Sequence, residues 1–342
     1  MNQSLLLTEY PDAATEKLWD EFLADASFPT HYVTPNFFVD PYIRGGVRFA
    51  VLCLNNDRVD AVLTGVDAGK TIFSGLAVRP QTAFRRGCDL RAAASTLLEG
   101  IKEHGGSDLE MIRFYTWEPV SEFDELGFKS SEATDDEAII MLDLSVGAEE
   151  IFKQFSQTRR NELRKAMKQN VLEVKDLETE DEFNELYAIH CDWNERKGNT
   201  PDSYDDLKFA VSQKNHRKVL IAKLDGKVIA GSYYRFCSGG VVEYAANNSL
   251  VEFQKYRPND LIGWRSIEWA CQNGFTHYSM GGSHLFLRRF GGSMVKSHYY
   301  HLDRTFLQIH DMKDKLKEIG IKTYRSLPGG VKKQIKRIAG KE

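Results

Sequence analysis

Three groups of residues in this chain have the types and spacing to do chemistry. Arg159, Arg160, Arg164 and Lys165 crowd one helical segment, TRRNELRKAMKQN, with Lys168 a turn further on. Such a cluster can grip the phosphates of a donor or of an acceptor, because cations neutralise phosphate oxygens whatever the rest of the ligand is. For Arg164, Lys165 and Lys168 a solvated helix face is the plainer account. The second group, Lys255 and Arg257, lies in a loop directly before the helix-forming PNDLIGWRSIEWACQ and can hold a phosphate by charge. The third group, Tyr233, Tyr234, Glu243, Tyr244 and Asn247, lies on strand-like segments. Alternation puts Glu243 with Ala245 on one face and Tyr244 with Ala246 on the other, so only one set can line a cleft. A pocket carboxylate such as Glu243 can take the proton of an attacking amine, and an ion-paired or solvent-facing glutamate is the alternative. Arg196, at a helix end leading into the loop GNTPDSYDD, is a further binding candidate. Gly281-Gly282 marks a close approach of backbone, either to a ligand or to its own packing.

These residues need elements to place them. A first helix is expected over Ala13–Ala26, with Leu18, Trp19, Phe22 and Leu23 on its apolar face, followed by the Pro-rich aromatic loop PTHYVTPNFF. RFAVLCLN, RVDAVLTGV and TIFSGLAV read as a strand meander, a helix spans Asp89–His104, LEMIRFYTW is a strand, and LGFKSSEATDDEAIIMLDL reads as a hairpin. The second half opens on one long helix, EEIFKQFSQTRRNELRKAMKQN. Thr179 and Glu182 then form a capping box for the next helix. Strands return in RKVLIAKL, KVIAGSYYRF and VVEYAANN, with Asp225-Gly226 as a tight turn. His190 reads as a core-facing or partly exposed helix residue.

Shifting the chain by 169 residues lays RFAVLCL on HRKVLIAKL, IFSGLAV on VVEYAAN, and helix 89–104 on helix 259–273. The chain is therefore expected to be two copies of one strand–strand–strand–helix–strand unit. The fold class is α/β (α+β): two tandem units, each a mixed, mostly antiparallel sheet flanked by helices. The divisions are 1–147, 148–310, and a C-terminal helix with a basic tail over 311–342.

Composition agrees with a globular protein: of 342 residues, 42% are hydrophobic and 27% charged. The five cysteines are scattered and form no C-x-x-C pair or Cys/His cluster, which suggests neither a disulfide framework nor a zinc site. With no apolar run of membrane-spanning length and no signal-peptide layout at its start, the chain is expected to be cytoplasmic. Net charge is −4, yet Lys322 to Glu342 carries seven Lys/Arg against one Glu, which is +6 and leaves −10 for the rest. Within that tail VKKQIKRIAGK can form a basic amphipathic helix on an anionic membrane surface through Lys332, Lys333, Lys336 and Arg337, or be a frayed end.

The order of the repeated unit resembles the GNAT acyltransferase fold. In that fold two parallel strands splay apart and a donor ester or thioester lies in the gap, here between Val241–Asn247 and Phe275–Met280. Thr158–Val171, Asn194–Gly198, Leu224–Gly231, PNDLIGWRSIEWA and the terminal RRFGG (Arg288–Gly292) together resemble the FemAB branch and its BioF2-like relatives. The resemblance covers Ile151 to about Asp303. It implies an amide-forming aminoacyl or acyl transferase acting on an amine of a peptidoglycan or surface-glycan precursor. No cofactor is tightly bound, and aminoacyl-tRNA or acyl-CoA is the donor. It also implies donor or substrate contacts by Arg159, Arg160 and Asn161. Two departures stand out. Neither unit has the Q/R-x-x-G-x-G/A loop that cradles pyrophosphate in acetyl-CoA enzymes. Where the family carries a lysine between two phenylalanines, Leu287 sits between Phe286 and Phe290, leaving Arg288 or Arg289 to supply a cation. An acyl-CoA-dependent N-acyltransferase of an amino sugar and a non-catalytic binding module on a degenerate scaffold are the rival readings.

Overall fold

A computed structural model describes residues 2–327; the basic stretch containing Lys332, Lys333, Lys336 and Arg337 lies outside the described residues. The first half contains β1 (Asn2–Leu7), α1 (Ala13–Asp25), β2 (Val47–Asn55), β3 (Arg58–Asp67), β4 (Thr71–Ser74), β5 (Thr82–Phe84), α2 (Leu90–Gly105), β6 (Met111–Thr116), α3 (Glu122–Glu125) and β7 (Lys129–Glu132). Then come β8 (Ile139–Asp143), α4 (Ala148–Gln154), α5 (Gln157–Gln169), β9 (Glu173–Asp176), α6 (Glu180–Lys197), α7 (Tyr204–Ser212), β10 (Arg217–Leu224), β11 (Lys227–Phe236) and β12 (Val241–Ser249). The chain continues through α8 (Pro258–Gln272), β13 (His277–Ser279), α9 (Leu285–Arg288), β14 (Ser293–Val295), β15 (His298–Asp303) and α10 (Ile309–Ser326).

Local chemistry explains most boundaries. Asp12 and Asp89 cap α1 and α2 by accepting from Thr15 N–H at 2.8 Å and Ala92 N–H at 3.0 Å. The Thr179/Glu182 box closes at the start of α6, with Thr179 Oγ1 accepting from Glu182 N–H at 3.2 Å and Glu182 Oε2 accepting from Thr179 N–H at 3.3 Å. The β2–β3 and β10–β11 turns put Asn56, Asp57, Asp225 and Gly226 in the left-handed region, at φ 47°, 61°, 50° and 81°, as primed hairpin turns require.

The expected single helix over 149–170 is two helices. Phe155 turns into the core against Trp264 and Phe290, and Ser156 caps α5 by accepting from Arg159 N–H at 3.3 Å, while its own N–H reaches Arg289 O at 2.9 Å. A serine side chain that satisfies an orphan N–H favours a new helix start over continuation.

The two sheets have the same strand order. One runs β1-β2-β3-β4-β6-β15-β7, with β5 on β3, and the other β9-β10-β11-β12-β13-β8-β14. Matching each position in turn pairs β1 with β9, β4 with β12 and β6 with β13, so the repeat expected from the sequence is present in space. One strand of each sheet comes from the other half of the chain. β8, read from sequence as the partner of 129–132 in a hairpin, instead pairs with β13 and β14, while β15 inserts between β6 and β7. The hairpin fails because β8, IIMLD, is apolar at four buried positions and needs a covered slot, whereas Lys129–Glu132 is exposed along its whole length.

Each sheet has one parallel junction, β4 with β6 and β12 with β13. α2 packs on the first sheet around Leu97, Leu98 and Ile101, and α8 on the second around Ile262, Trp264 and Ile267. The Pro-rich loop after α1 crosses to the second unit, where Val241 N–H donates to Pro29 O at 3.0 Å and a Cβ at Gly240 would lie 2.4 Å from that oxygen.

Because each sheet is completed by a strand from the other half, urea unfolding followed by tryptophan fluorescence and by far-ultraviolet dichroism is expected to give one coincident transition. Two separated transitions would show that the halves are stable apart.

Candidate active site between two diverging strands

β12 and β13 pair in parallel for three residues only, Val241 with His277, Val242 with Tyr278 and Glu243 with Ser279. Just beyond, Gly281 passes so close to β12 that a Cβ would lie 2.5 Å from Tyr244 O, and its φ of +69° also suits glycine. The close approach read from Gly281-Gly282 is thus packing of one diverging strand on the other. From Ala245 to Ser249 the edge of β12 facing β13 has no strand beside it. The ladder to β11 pairs Tyr233 with Ala246 and Tyr234 with Tyr244, so Ala245 is an extra, bulged residue. A bulge bends the strand and leaves backbone groups unpaired. The parting expected between Val241–Asn247 and Phe275–Met280 is therefore present and opens at the bulge.

Beside the gap lies a cavity of about 310 Å³, lined by residues of both units. Tyr42 and Arg79 come from the first unit; His190, Asp202, Arg217, Tyr233, Arg235, Ala245 and Ala246 come from the second. Arg217 pairs with Asp40, whose carboxylate also accepts from His31 Nε2–H at 2.8 Å. Arg79 meets Glu243 at 2.9 Å, and Arg235 approaches the same carboxylate at 3.5 Å. Tyr42 lies under both Arg217 and Arg235, each 5.7 Å from its ring centre. Glu243, expected to act as a base, is thus the shared counter-ion of two guanidiniums. His190 is engaged at both ring nitrogens, by Asn248 Oδ1 at 3.1 Å and by Asp202 N–H at 3.1 Å, and so pins the α6–α7 loop over the cavity.

A separate cleft of about 590 Å³ beside the amino end of α8 is lined by Asn161, Glu162, Lys165, Gln169, Gln254, Lys255 and Arg257. Lys255 is exposed above the Tyr256 ring, and Arg257, at φ 59°, holds Glu162 at 2.9 Å. The cleft therefore brings Asn161, Lys255 and Arg257 together beside Glu162.

Other expected binding residues have structural partners. Arg159, 1% exposed, is paired with Asp260 in the first turn of α8, stacked 4.3 and 4.4 Å from the Phe286 and Phe290 rings, and donates to Phe286 O at 3.1 Å. Burial pushes its pKa down to about 10. It is not available to a donor's phosphates, which corrects the expectation drawn from TRRN. Arg160 donates to Lys153 O at 2.6 Å and to Phe155 O, closing the end of α4 rather than reaching a ligand. Arg196 joins α6 to the end of β12 by donating to Ser249 O at 3.2 Å. Tyr233 lines the cavity, and its hydroxyl has no partner among the described residues. Tyr244 is half-buried beside Arg159, its hydroxyl pKa raised by burial. Asn247 is half-buried on the open part of β12. Leu287 turns into the core, while Arg288 is exposed and donates to Ser283 O, and Arg289 is half-buried with no side-chain hydrogen bond among the described residues. Tyr42, Arg79, Arg217 and Arg235 were not singled out from sequence.

Residues 153–290 match the family described as an acetyltransferase (GNAT) domain. Solved structures share the fold over nearly the whole chain. The structure of FemX is 15% identical with a TM-score of 0.66, covering 87% of this chain and 96% of its own. L-PGS from Bacillus licheniformis is 14% identical with a TM-score of 0.57, covering 89% and 96%. A tandem GNAT protein from the clavulanic acid biosynthesis pathway is 9% identical with a TM-score of 0.53, covering 90% and 99%. No curated protein matches the sequence. The chain therefore has the fold of these tandem GNAT structures, and residues 153–290 resemble an acetyltransferase (GNAT) domain. Among the described residues no group of His, Cys, Asp or Glu is arranged to hold a metal ion.

Arg159→Ala strands Asp260 in the core, and loss of one partner of a buried pair costs about 3–5 kcal/mol. Urea denaturation is expected to show a loss of that order, and a loss under about 1 kcal/mol would contradict the buried role.

The network around Asp40 sets a second expectation. Burial, with Arg217 acting the same way, pushes His31 from 6.5 down to about 3 against the pull of Asp40. The unfolded chain therefore takes up this proton first as pH falls. The stability contributed by neutral His31 is complete above about pH 6.5 and drains away toward pH 3. Asp40, lowered to about 2, loses its contribution at still lower pH. Stability measured across pH 7 to 3 is expected to fall less steeply in His31→Gln than in the unmodified protein, and equal slopes would contradict this.

Proposed function

We propose that this chain transfers an activated aminoacyl or acyl group to an amine of a cell-wall or surface-glycan precursor. The observation carrying this reading is the bulged, unpaired edge of β12, whose Ala245 and Ala246 line the cavity shared by the two units. The donor carbonyl lies in the gap, with its phosphate-bearing portion along Asn161, Lys255 and Arg257. Backbone N–H groups near Ala245 stabilise the oxyanion that develops as the amine nitrogen attacks. A C–N bond forms, the bond to the leaving oxygen or sulfur breaks, and the amine proton passes through water to the leaving group. That route suits a cavity in which Glu243 and His190 are already engaged. The first unit contributes Tyr42 and Arg79 to the acceptor side.

Aminoacyl-tRNA is the donor this reading favours. The amino end of α8, where backbone amides would cradle the pyrophosphate of acyl-CoA, is filled instead by Asp260 with Arg159 packed against it. The acyl-CoA-dependent N-acyltransferase is the alternative. We place the protein in the cytoplasm, at the periphery of the membrane when the precursor is lipid-linked. On α10, Ile309, Met312, Leu316 and Ile319 form an exposed apolar stripe at helical spacing, leading toward the basic tail.

Purified protein offered labelled aminoacyl-tRNAs or acyl-CoAs, each with nucleotide-linked and lipid-linked glycan precursors, is expected to move label from aminoacyl-tRNA into an amide detected by mass spectrometry. Label moving only from CoA would transfer the assignment to the alternative. Silence from both, with the protein shown folded, would favour a binding module.

A further inference from the structure

The last helix, α10, is attached to the body by its polar face. Asp311, nearly buried, pairs with Lys129 and lies 3.2 Å from His301 Nε2, while Asp314 meets Arg113 at 2.8 Å and His310 meets Glu110 at 2.9 Å. An amphipathic helix on a globular protein ordinarily turns its apolar stripe to the core and its charges to water. Here the arrangement is reversed.

Ile309, Met312, Leu316 and Ile319 are 44%, 54%, 65% and 59% exposed. At about 100° per residue they share an arc of about 80°, and the side carrying His310, Asp311 and Asp314 lies opposite. In the turn just ahead of the helix, Phe306 and Leu307 are exposed at 84% and 69%. Single exposed apolar residues need no explanation, whereas six large ones along one segment mark a surface that something covers.

Charge selects the occupant. Lys313 and Lys315 border the stripe on its two sides. The stripe has the spacing of a coiled-coil seam, but pairing with a second copy would set these lysines against lysines whether the helices ran parallel or antiparallel. Self-association is therefore opposed. An anionic lipid surface is suited instead, since lysine stems can lie along the apolar side chains while their ammonium groups reach the headgroups. From Lys322 to Glu342 the sequence adds six net positive charges, which act on such a surface without a fixed geometry.

We propose that α10 and the turn before it lie on an anionic membrane surface, with the stripe, Phe306 and Leu307 entering the headgroup layer and Lys313 and Lys315 meeting lipid phosphates. This deepens the reading that put the chain at the membrane periphery, and it makes attachment a property of this face rather than of the tail alone or of a lipid-linked precursor. Asp311 and Asp314 hold α10 to Lys129 and Arg113, which belong to β7 and β6. The first unit is thus the one set against the lipid.

The test sediments the full chain with vesicles of phosphatidylcholine alone and of phosphatidylcholine containing about one-third phosphatidylglycerol. Binding to the anionic vesicles is expected to be about tenfold tighter or more. Leu316→Gln and Phe306→Ser, both at exposed positions, are each expected to weaken it about fivefold or more, with the melting curve unchanged. Lys313→Glu combined with Lys315→Glu is expected to remove most of the preference for anionic lipid. Equal binding to both vesicles, or binding that the stripe substitutions leave untouched, would overturn the proposal, the second result assigning attachment to the tail alone. A dimer seen by light scattering and broken by Leu316→Gln would overturn it in favour of a second copy. A monomer that ignores both vesicles would overturn it in favour of an acidic protein partner. Vesicle binding needs neither donor nor acceptor, so a failure here and a failure of the acyl-transfer reading are separate results.

Discussion

The cavity exists only because a loop of the first unit is clamped onto the sheet of the second. Asp40 and Arg79 reach across the seam to a row of charges, Arg217, Arg235 and Glu243, that would otherwise be stacked in register with too few counter-ions. Breaking either contact would leave charges buried without their partners, which costs far more than the pair contributes over an apolar seam. The clamp therefore fixes where the units sit relative to each other. It also brings Tyr42 and Arg79 to within reach of a ligand at β12.

The parallel junctions show how duplicated units can diverge. In the first, β4 is four residues long and every one pairs with β6, so the strands part nowhere along it. In the second, β12 has nine residues, of which three pair with β13. Length beyond the ladder, together with the bulge at Ala245, leaves backbone donors open in one unit only. The Pro-rich loop of the first unit is set against the open unit, where Val241 N–H donates to Pro29 O.

Features that rest on neighbours in the chain were legible in the sequence. The Asp225-Gly226 turn, the capping box at Thr179 and the apolar face of α1 follow from short-range spacing, and the repeat from laying one half of the sequence on the other. What spacing cannot carry is the partner of a strand: nothing local in IIMLDL says that it leaves the unit it follows. Arg217 and Arg235 were unremarkable for the same reason, since each is one cation at a strand end until register sets them face to face. Arg159 is a different case. Arg159, Leu163 and Ala166, at i, i+4 and i+7, are the buried residues of α5, and this helical period placed the arginine on the inward face. The basic character of the segment drew attention to charge, where periodicity already pointed to the core.

The exchanged strand has a consequence for the order in which the molecule can be made. During synthesis from the amino end, β6 and β7 emerge with an empty slot between them, and the strand that fills it, β15, is among the last elements to leave the ribosome. The first sheet must wait with unpaired strand edges while about 170 further residues are added, and β8 must wait for the sheet it will join. The nascent chain is thus most exposed to mispairing with its neighbours in its middle third, and protection by a chaperone would matter most there.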